Sequence, residues 1–309
     1  MPPRSVLTIG NFDGVHLGHQ AILAECRRRA TEHGPETRVV AITFDPPPAA
    51  VLRPGSEPPQ IDEPSLSLRI DRLKRAGADH TEAWKVDHAF LEQSADEFIE
   101  NIVKVFAPMT IVEGPDFRFG KRRAGDHARL QQLGVRYDFE AVRVPRQTTT
   151  LANRQLVPIS SSLIRWLIGR GRVHDAATCL GRPFELAGTV IQGEQRGRTI
   201  GVPTANLDPT AFRGRILPAD GVYAARAICD GHDFHAAVSV GTKPTFHNEH
   251  QTTVEAHLLG FNGDLYGKPL ELHFVRWVRD QYAFPGLESL VSQLHRDIQR
   301  TESILAHAS

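Results

Sequence analysis

Cysteine is scarce. Cys26, Cys179 and Cys229 are the only three among 309 residues, and they are too few and too scattered for a disulfide framework. No CxxC pair suggests a structural zinc site, and this usage fits a reducing cytoplasm. An excess of either charge is also missing: Lys plus Arg and Asp plus Glu number 36 each, so no general basic field gathers nucleic acid or an anionic membrane. No apolar run approaches membrane-spanning length, and Met1-Pro-Pro-Arg4 leads into a strand-like stretch rather than a signal peptide. Nothing repeats at a fixed period. The expectation is a soluble cytoplasmic chain of two domains, with neither nucleic acid nor membrane as partner. Phosphate ligands would have to be gripped locally, and oligomeric state is left open.

What is present is concentrated first in residues 5–19. Ser5 to Ile9 is a short aliphatic run that reads as a strand. Gly10, Gly14 and Gly18 punctuate the next nine residues, and a helix is expected from Gln20 onward. A strand turning through glycines into a helix start outlines a phosphate site, because free backbone N–H groups and the positive helix end converge there. His16 and His19 stand three apart, so in a first helical turn their rings share one face. Imidazoles so placed can donate to the oxygens of a pentavalent phosphorus and to a departing pyrophosphate. The stretch has neither the Gly-Lys-Ser/Thr ending of a P-loop nor a dinucleotide fingerprint. A tight βα turn with incidental histidines is the plainer reading; a paired His-Leu-Gly-His19 weakens it.

Strand-like and helix-like runs then alternate. Arg38–Phe44 reads as a strand, followed by a proline-rich irregular loop through residue 59. Leu66–Ala76 has helical spacing with Gly77 as cap, and Ser94-Ala-Asp-Glu97 is a capping-box pattern opening a helix through Phe106. Thr81–Val86, Met109–Val112 and Tyr137–Val144 read as further strands, with Gly125-Asp126 opening a helix between the last two. Such alternation predicts a doubly wound parallel sheet with ligands at the carboxyl ends of its strands. Gly114-Pro-Asp-Phe-Arg-Phe-Gly120 follows one such strand: Phe117 and Phe119 beside Asp116 can stack on an aromatic ring system, or merely fill a gap. Ile159-Ser-Ser-Ser-Leu-Ile-Arg165 opens a helix. A serine N-cap explains one of Ser160, Ser161 and Ser162, but not Arg165 one turn in, where a guanidinium can reach the same anion as the exposed N–H groups.

Past a helical connector ending in Gly181-Arg-Pro183, the pattern changes, and the domain boundary is placed there, giving 1–182 and 183–309. Phe184–Ile191, Val222–Ile228, His235–Val240, Thr252–Leu259 and Leu270–Val278 are strand-like, and helical spacing returns only at Leu287–Ile298. A small antiparallel β-barrel with a C-terminal helix follows, with Asn262-Gly263 as a hairpin signal. Gly193-Glu-Gln-Arg-Gly-Arg-Thr-Ile-Gly201, containing Gly197 and Thr199, is glycine-spaced and basic, able to wrap phosphates. In the extended segment after it, Thr204 and Asn206 point to one side, and their neutral oxygens can share a magnesium ion with two phosphates; a Pro-initiated turn with polar ends is the plain alternative. Alternation along Thr253–Leu258 puts Val254, Ala256 and Leu258 on one face and Thr253, Glu255 and His257 on the other. Glu255 there is a residue on a wet face or a base.

The first of these stretches resembles the HxGH signature of the nucleotidylyltransferase superfamily, and in its Gly10-Asn-Phe-Asp-Gly-Val-His16 form it is similar to the bacterial bifunctional riboflavin kinase/FMN adenylyltransferases, or FAD synthetases. Residues 114–120 and 159–165 resemble the flavin-side and triphosphate-side motifs of that family, with Ser162 at a usual Thr and Pro47 at a usual His. Residues 193–206, 241–246, 254–259 and 263–267 look like its riboflavin kinase module, in the usual order, with Ser239 at a usual Asn and Gly260 at a usual Asp. The resemblance implies two reactions: phosphorylation of riboflavin by magnesium-ATP to FMN, then adenylylation of FMN to FAD with release of pyrophosphate. It implies His16, His19 and Arg165 as charge stabilisers, Glu255 as the base toward the ribityl 5′-hydroxyl, and Thr204 with Asn206 as holders of Mg2+. ATP contacts are implied for Gly10, Phe12, Gly18, Ser160, Ser161, Ser162, Gly193, Gly197, Thr199 and Thr204, and flavin contacts for Asp116, Phe117, Phe119 and Arg279. Two alternatives stand beside it: a monofunctional riboflavin kinase with an inactive adenylyltransferase domain, and a non-catalytic flavin or nucleotide sensor.

Overall fold

The computed structural model describes residues 4–56, 58–62, 66–193, 197, 200–244 and 250–307. They form two compact units, Met1–Thr149 with Leu156–Ser161, and Thr150–Gln155 with Ser162–Ser309. The break falls ahead of the sequence-based boundary, and each unit is taken by itself.

In the first unit, β1 (Ser5–Ile9), β2 (Arg38–Asp45), β3 (His80–Lys85), β4 (Pro108–Glu113) and β5 (Glu140–Arg143) form one parallel sheet in the order β3-β2-β1-β4-β5. Period-two alternation sends Val6, Val39, Ala41 and Val112 to one core, with Leu23, Cys26 and Ala30 of α1 (Leu17–His33) and Leu73 of α3 (Leu66–Arg75). Leu7, Ile9, Val40, Ile42 and Ile111 go to the other, with Phe98, Ile99 and Ile102 of α5 (Ala95–Phe106) and Leu130 and Leu133 of α6 (His127–Tyr137). Both faces being covered, the three central strands β1, β2 and β4 are mainly apolar, whereas the edge strands β3 and β5 carry charged and polar residues. The capping box at Ser94 and Glu97 forms as expected.

Three expectations need correction. The helix after the first turn starts at Leu17 rather than Gln20, because His16 caps it and brings the second histidine inside the first turn. The proline-rich loop contains a short helix, α2 (Pro48–Leu52), with Pro48 at its first position, where a missing N–H costs nothing. Tyr137 ends α6 rather than opening β5; Asp138, in the left-handed region at φ 59°, turns the chain between them. The unit also contains α4 (His88–Leu91). The strands β6 (Thr148–Thr150) and β7 (Leu156–Pro158) pair as a small ribbon, ahead of α7 (Ser161–Gly169) and α8 (Val173–Leu180).

The barrel of the second unit closes in the order β10-β11-β12-β9-β8-β13. Its strands are β8 (Phe184–Ile191), β9 (Ala205–Leu207), β10 (Gly221–Cys229), β11 (His232–Pro244), β12 (His250–Leu258) and β13 (Pro269–Arg279), followed by α9 (Leu287–Ala306). The segment read as extended around Thr204 and Asn206 is the three-residue β9, which supplies the rung between β12 and β8. Asn262-Gly263 does not make a hairpin: it joins β12 to β13, which are not neighbours. The tight hairpin is instead at Asp230-Gly231, where φ of 51° and 77° supplies the twist that adjacent strands require. Cys26, Cys179 and Cys229 are all free and buried.

Candidate active sites

At the carboxyl ends of β1 and β4 lies a cavity of about 290 Å³, walled by Gly10, Phe12, His16, Gly18, His19, Glu113, Asp116, Phe117, Arg146, Ser160 and Ser161, among others. The turn beneath it is strained: Phe12 (φ 49°) and the β-branched Val15 (φ 36°) both sit in the left-handed region. Reciprocal bonds hold it there. Asp13 accepts the Ile61 N–H (2.7 Å), Asp62 accepts the Gly14 N–H (2.9 Å), and Asp62 is itself ion-paired with buried Arg72. Ser161 donates its hydroxyl to the Asp13 carbonyl (2.9 Å), tying the serine run to the same turn.

The two imidazoles stack, centroids 3.7 Å apart and planes 16° from parallel. His16 Nδ1 accepts the His19 backbone N–H (3.4 Å), so its own proton belongs on Nε2. Gly18 permits this approach: a Cβ would come within 3.0 Å of the His16 ring. Phe12 meets His19 edge-on at 5.2 Å. Burial, then the neighbouring His16, drives the His19 pKa well below the ordinary 6.5, so the ring is neutral. Its Nδ1 is buried without a hydrogen-bond partner among the described residues.

The second cavity, also about 290 Å³, opens on the barrel wall between β12 and α9, and is lined by Gly197, Thr204, Ser239, Glu255, His257, Arg279, Gln281, Tyr282, Phe284 and Asp297, among others. Alternation along β12 holds: Val254 and Ala256 are fully buried while Glu255 and His257 face out. Register places Glu255 between Ser239 of β11 and Asn206 of β9. Thr204 donates its hydroxyl to Glu255 (3.3 Å), and His257 Nδ1 donates to the Pro203 carbonyl (2.7 Å). Gly193 packs on the Asn206 amide and Gly197 on the Val202 carbonyl, both too closely for a Cβ. A hydroxyl, an amide and a carboxylate gathered on one patch of wall suit a hard cation such as Mg2+.

Across that cavity Arg279 is held by Asp297 of α9 through Nε (2.9 Å) and Nη2 (2.7 Å), and lies over the Tyr282 ring at 4.8 Å. Gln293 braces the same carboxylate (2.8 Å), and Gln281 bridges to Ser239 (2.8 Å) and the Val240 carbonyl (2.9 Å).

Two family models match the chain: FAD synthetase over residues 1–161 and riboflavin kinase over residues 180–305. The chain belongs to the bifunctional riboflavin kinase/FMN adenylyltransferase family. A relative so named from Listeria monocytogenes is 32% identical, covering 98% of this chain and 93% of its own. One from Escherichia coli K12 is 33% identical, covering 94% and 90%. A solved Streptococcus pneumoniae structure described as a macrolide-efflux protein superposes with a TM-score of 0.86 at 31% identity, covering 98% of this chain and 95% of its own. In this chain no helix of the described residues is long and apolar enough to cross a membrane.

Against the motifs of this flavin-synthesis family, the structure brings Gly10, Phe12, Gly18, His16, His19, Ser160, Ser161, Asp116 and Phe117 together around the first cavity. Phe119 is a correction: it is 4% exposed, part of the core, and stacks behind Phe117 at 5.2 Å instead of sharing its face. Ser162 and Arg165 fall in the second unit, where the Arg165 guanidinium donates to the Ser162 hydroxyl (3.2 Å). Gly197, Thr204, Glu255 and Arg279 meet at the second cavity, with Gly193 and Asn206 beside them; Thr199 lies outside the described residues. Sequence reasoning missed Glu113, Arg146, Gln281 and Asp297. Arg146 pairs with Asp116 and Asp297 with Arg279 across 30 and 18 residues, separations with no local signature.

Proposed function

We propose that the barrel unit phosphorylates riboflavin with magnesium-ATP and that the first unit joins the resulting FMN to the adenylyl group of a second ATP, giving FAD and pyrophosphate. The observation that carries this reading is that one chain holds both a wall-mounted carboxylate, Glu255, braced by Thr204, and a stacked imidazole pair at the end of a parallel strand.

In the kinase cavity, Glu255 accepts the proton of the ribityl 5′-hydroxyl as that oxygen attacks the γ-phosphorus of ATP; ADP leaves. Thr204 keeps the carboxylate pointed out of the wall. Thr204 and Asn206 would hold magnesium, which, when bound, supplies positive charge to the phosphates. The close packing at Gly193 and Gly197 lets the backbone approach them. Phe284 and Tyr282, gathered around Arg279, offer an aromatic surface to the isoalloxazine.

In the first cavity the attacking oxygen belongs to the FMN phosphate, already anionic, so no protein base is required. His16 Nε2–H and the His19 ring donate to the oxygens of the α-phosphorus and the leaving pyrophosphate. Phe117 offers the flavin a face, and Asp116, oriented by Arg146, an edge. Positioning supplies most of the rate. Chromatography of riboflavin, FMN and FAD after incubation of the pure protein with ATP and magnesium tests the reading. Both FMN and FAD should accumulate from riboflavin, and FAD from FMN alone; a failure of the second would leave only the kinase.

A further inference from the structure

Two acidic side chains line the first cavity, and they differ sharply. Asp116 is solvent-exposed and paired with Arg146. Glu113, the last residue of β4, is 2% exposed and has no cationic partner among the described residues. Its Oε1 accepts the backbone N–H of Ile9, the last residue of β1, at 2.7 Å.

That bond replaces a rung. The β1–β4 ladder pairs Val6 with Thr110 and Leu7 with Ile111, then stops. On its other side β1 continues against β2, pairing Ile9 with Ile42 and sending the Gly10 N–H to the Ile42 carbonyl (3.0 Å). Where main chain would next meet main chain, a side-chain carboxyl stands between the two strands. They part there, and the cavity lies between their ends.

We propose that Glu113 is a positioning residue of the adenylyl-transfer site, its carboxyl spreading the ends of β1 and β4 so that the Gly10 turn and the imidazole pair are held at one height over the cavity. The proposal rests on the adenylyltransferase reading of that cavity. Burial keeps this acid protonated well above the usual carboxylate range, against the opposing pull of the Ile9 N–H. The protonated form matters, since an ionised carboxylate would repel a triphosphate and lacks an O–H. Other titratable or charged groups on the surrounding elements are Cys26 of α1, whose thiol Glu113 helps to raise, and His16 and His19 of the turn. Asp116 and Arg146 share the cavity lining, and Arg143 of β5 stands opposite Glu113 in backbone register, with no ion pair between them among the described residues.

The test compares Glu113→Gln and Glu113→Val in the full-length protein, assaying FMN-to-FAD conversion and riboflavin phosphorylation on the same preparations. Gln keeps an oxygen for Ile9 and a donor in place of the O–H; Val keeps only a strand-compatible shape. Glu113→Gln should retain FAD formation within about threefold. Glu113→Val should lose about a hundredfold in kcat with riboflavin phosphorylation unchanged. On the alkaline side, the wild-type rate of FAD formation should fall as Glu113 ionises, and Glu113→Gln should flatten that limb. A Val variant as fast as wild type, or a Gln variant as slow as Val, would overturn the proposal. Should the Val protein not fold, the Gln variant decides alone: loss of activity, or an unchanged alkaline limb, is fatal to it. Wild-type protein that makes FMN but no FAD would overturn the assignment of the cavity and this role with it.

Discussion

The two cavities have the same size and are built from opposite materials. The first is a backbone site: a strained turn, glycines and a helix start at the end of a parallel strand, with side chains hung from it. The second is a wall site, in which Glu255 projects from the middle of a strand and depends on the registers of both neighbouring strands. The difference teaches where each is vulnerable. A backbone site is vulnerable to added atoms at the turn and to loss of the few side chains, such as Asp13, Asp62 and Glu113, that brace it. A wall site needs, besides its own side chains, every neighbouring strand in its place.

The sharpest way to break the comparison is Glu255→Ala. It should slow FMN formation about a thousandfold and leave FMN-to-FAD conversion untouched, as chromatographic assay of each step would register. His19→Ala should do the reverse, costing about a hundredfold in FAD formation while sparing riboflavin phosphorylation. If either change depressed both steps equally in folded protein, the division of labour would be wrong. Asp297→Asn attacks the wall site through its frame. The Arg279 carboxylate partner is 4% exposed, so weakening that bond should cost about 2 kcal/mol in denaturant unfolding of the barrel and raise the KM for riboflavin. Gly193→Ala drives a methyl into the Asn206 amide and should raise the kinase KM for ATP about tenfold, with adenylyl transfer unaffected.

The smallest effect is thermodynamic. Because the folded-state pKa of Glu113 lies above its ordinary 4.5, the folded protein binds this proton more tightly than the unfolded chain. Stability from it is whole below pH 4.5 and declines as pH rises toward the folded-state value. The melting temperature of Glu113→Gln should therefore match wild type near pH 4 and exceed it by a growing margin toward neutrality. A constant margin would show that folding leaves the Glu113 pKa at its ordinary value.

Much of the backbone site was legible in the sequence because its signals are local. Gly14, Gly18 and the His pair all lie within a few residues of what they position. The wall site was legible in composition but not in assembly. Strand alternation exposed the face of Glu255, yet β9 is three residues long and takes its extended form from pairing with β12 and β8, which no local pattern encodes. Asn262-Gly263 misled for the same reason: turn propensity is local, whereas the identity of a strand's neighbour is not. Phe119 looked equivalent to Phe117 two residues away, but the Phe119–Gly125 bridge rolls it inward against Phe98.

The burial of all three native thiols has a practical consequence. With Cys26, Cys179 and Cys229 each no more than 4% exposed, and the Cys26 thiol raised further by its surroundings, the folded chain presents little background to alkylating dyes. A single cysteine introduced at the rim of either cavity would then carry a fluorophore almost alone, so that occupancy of the two cavities could be followed separately in one polypeptide during turnover.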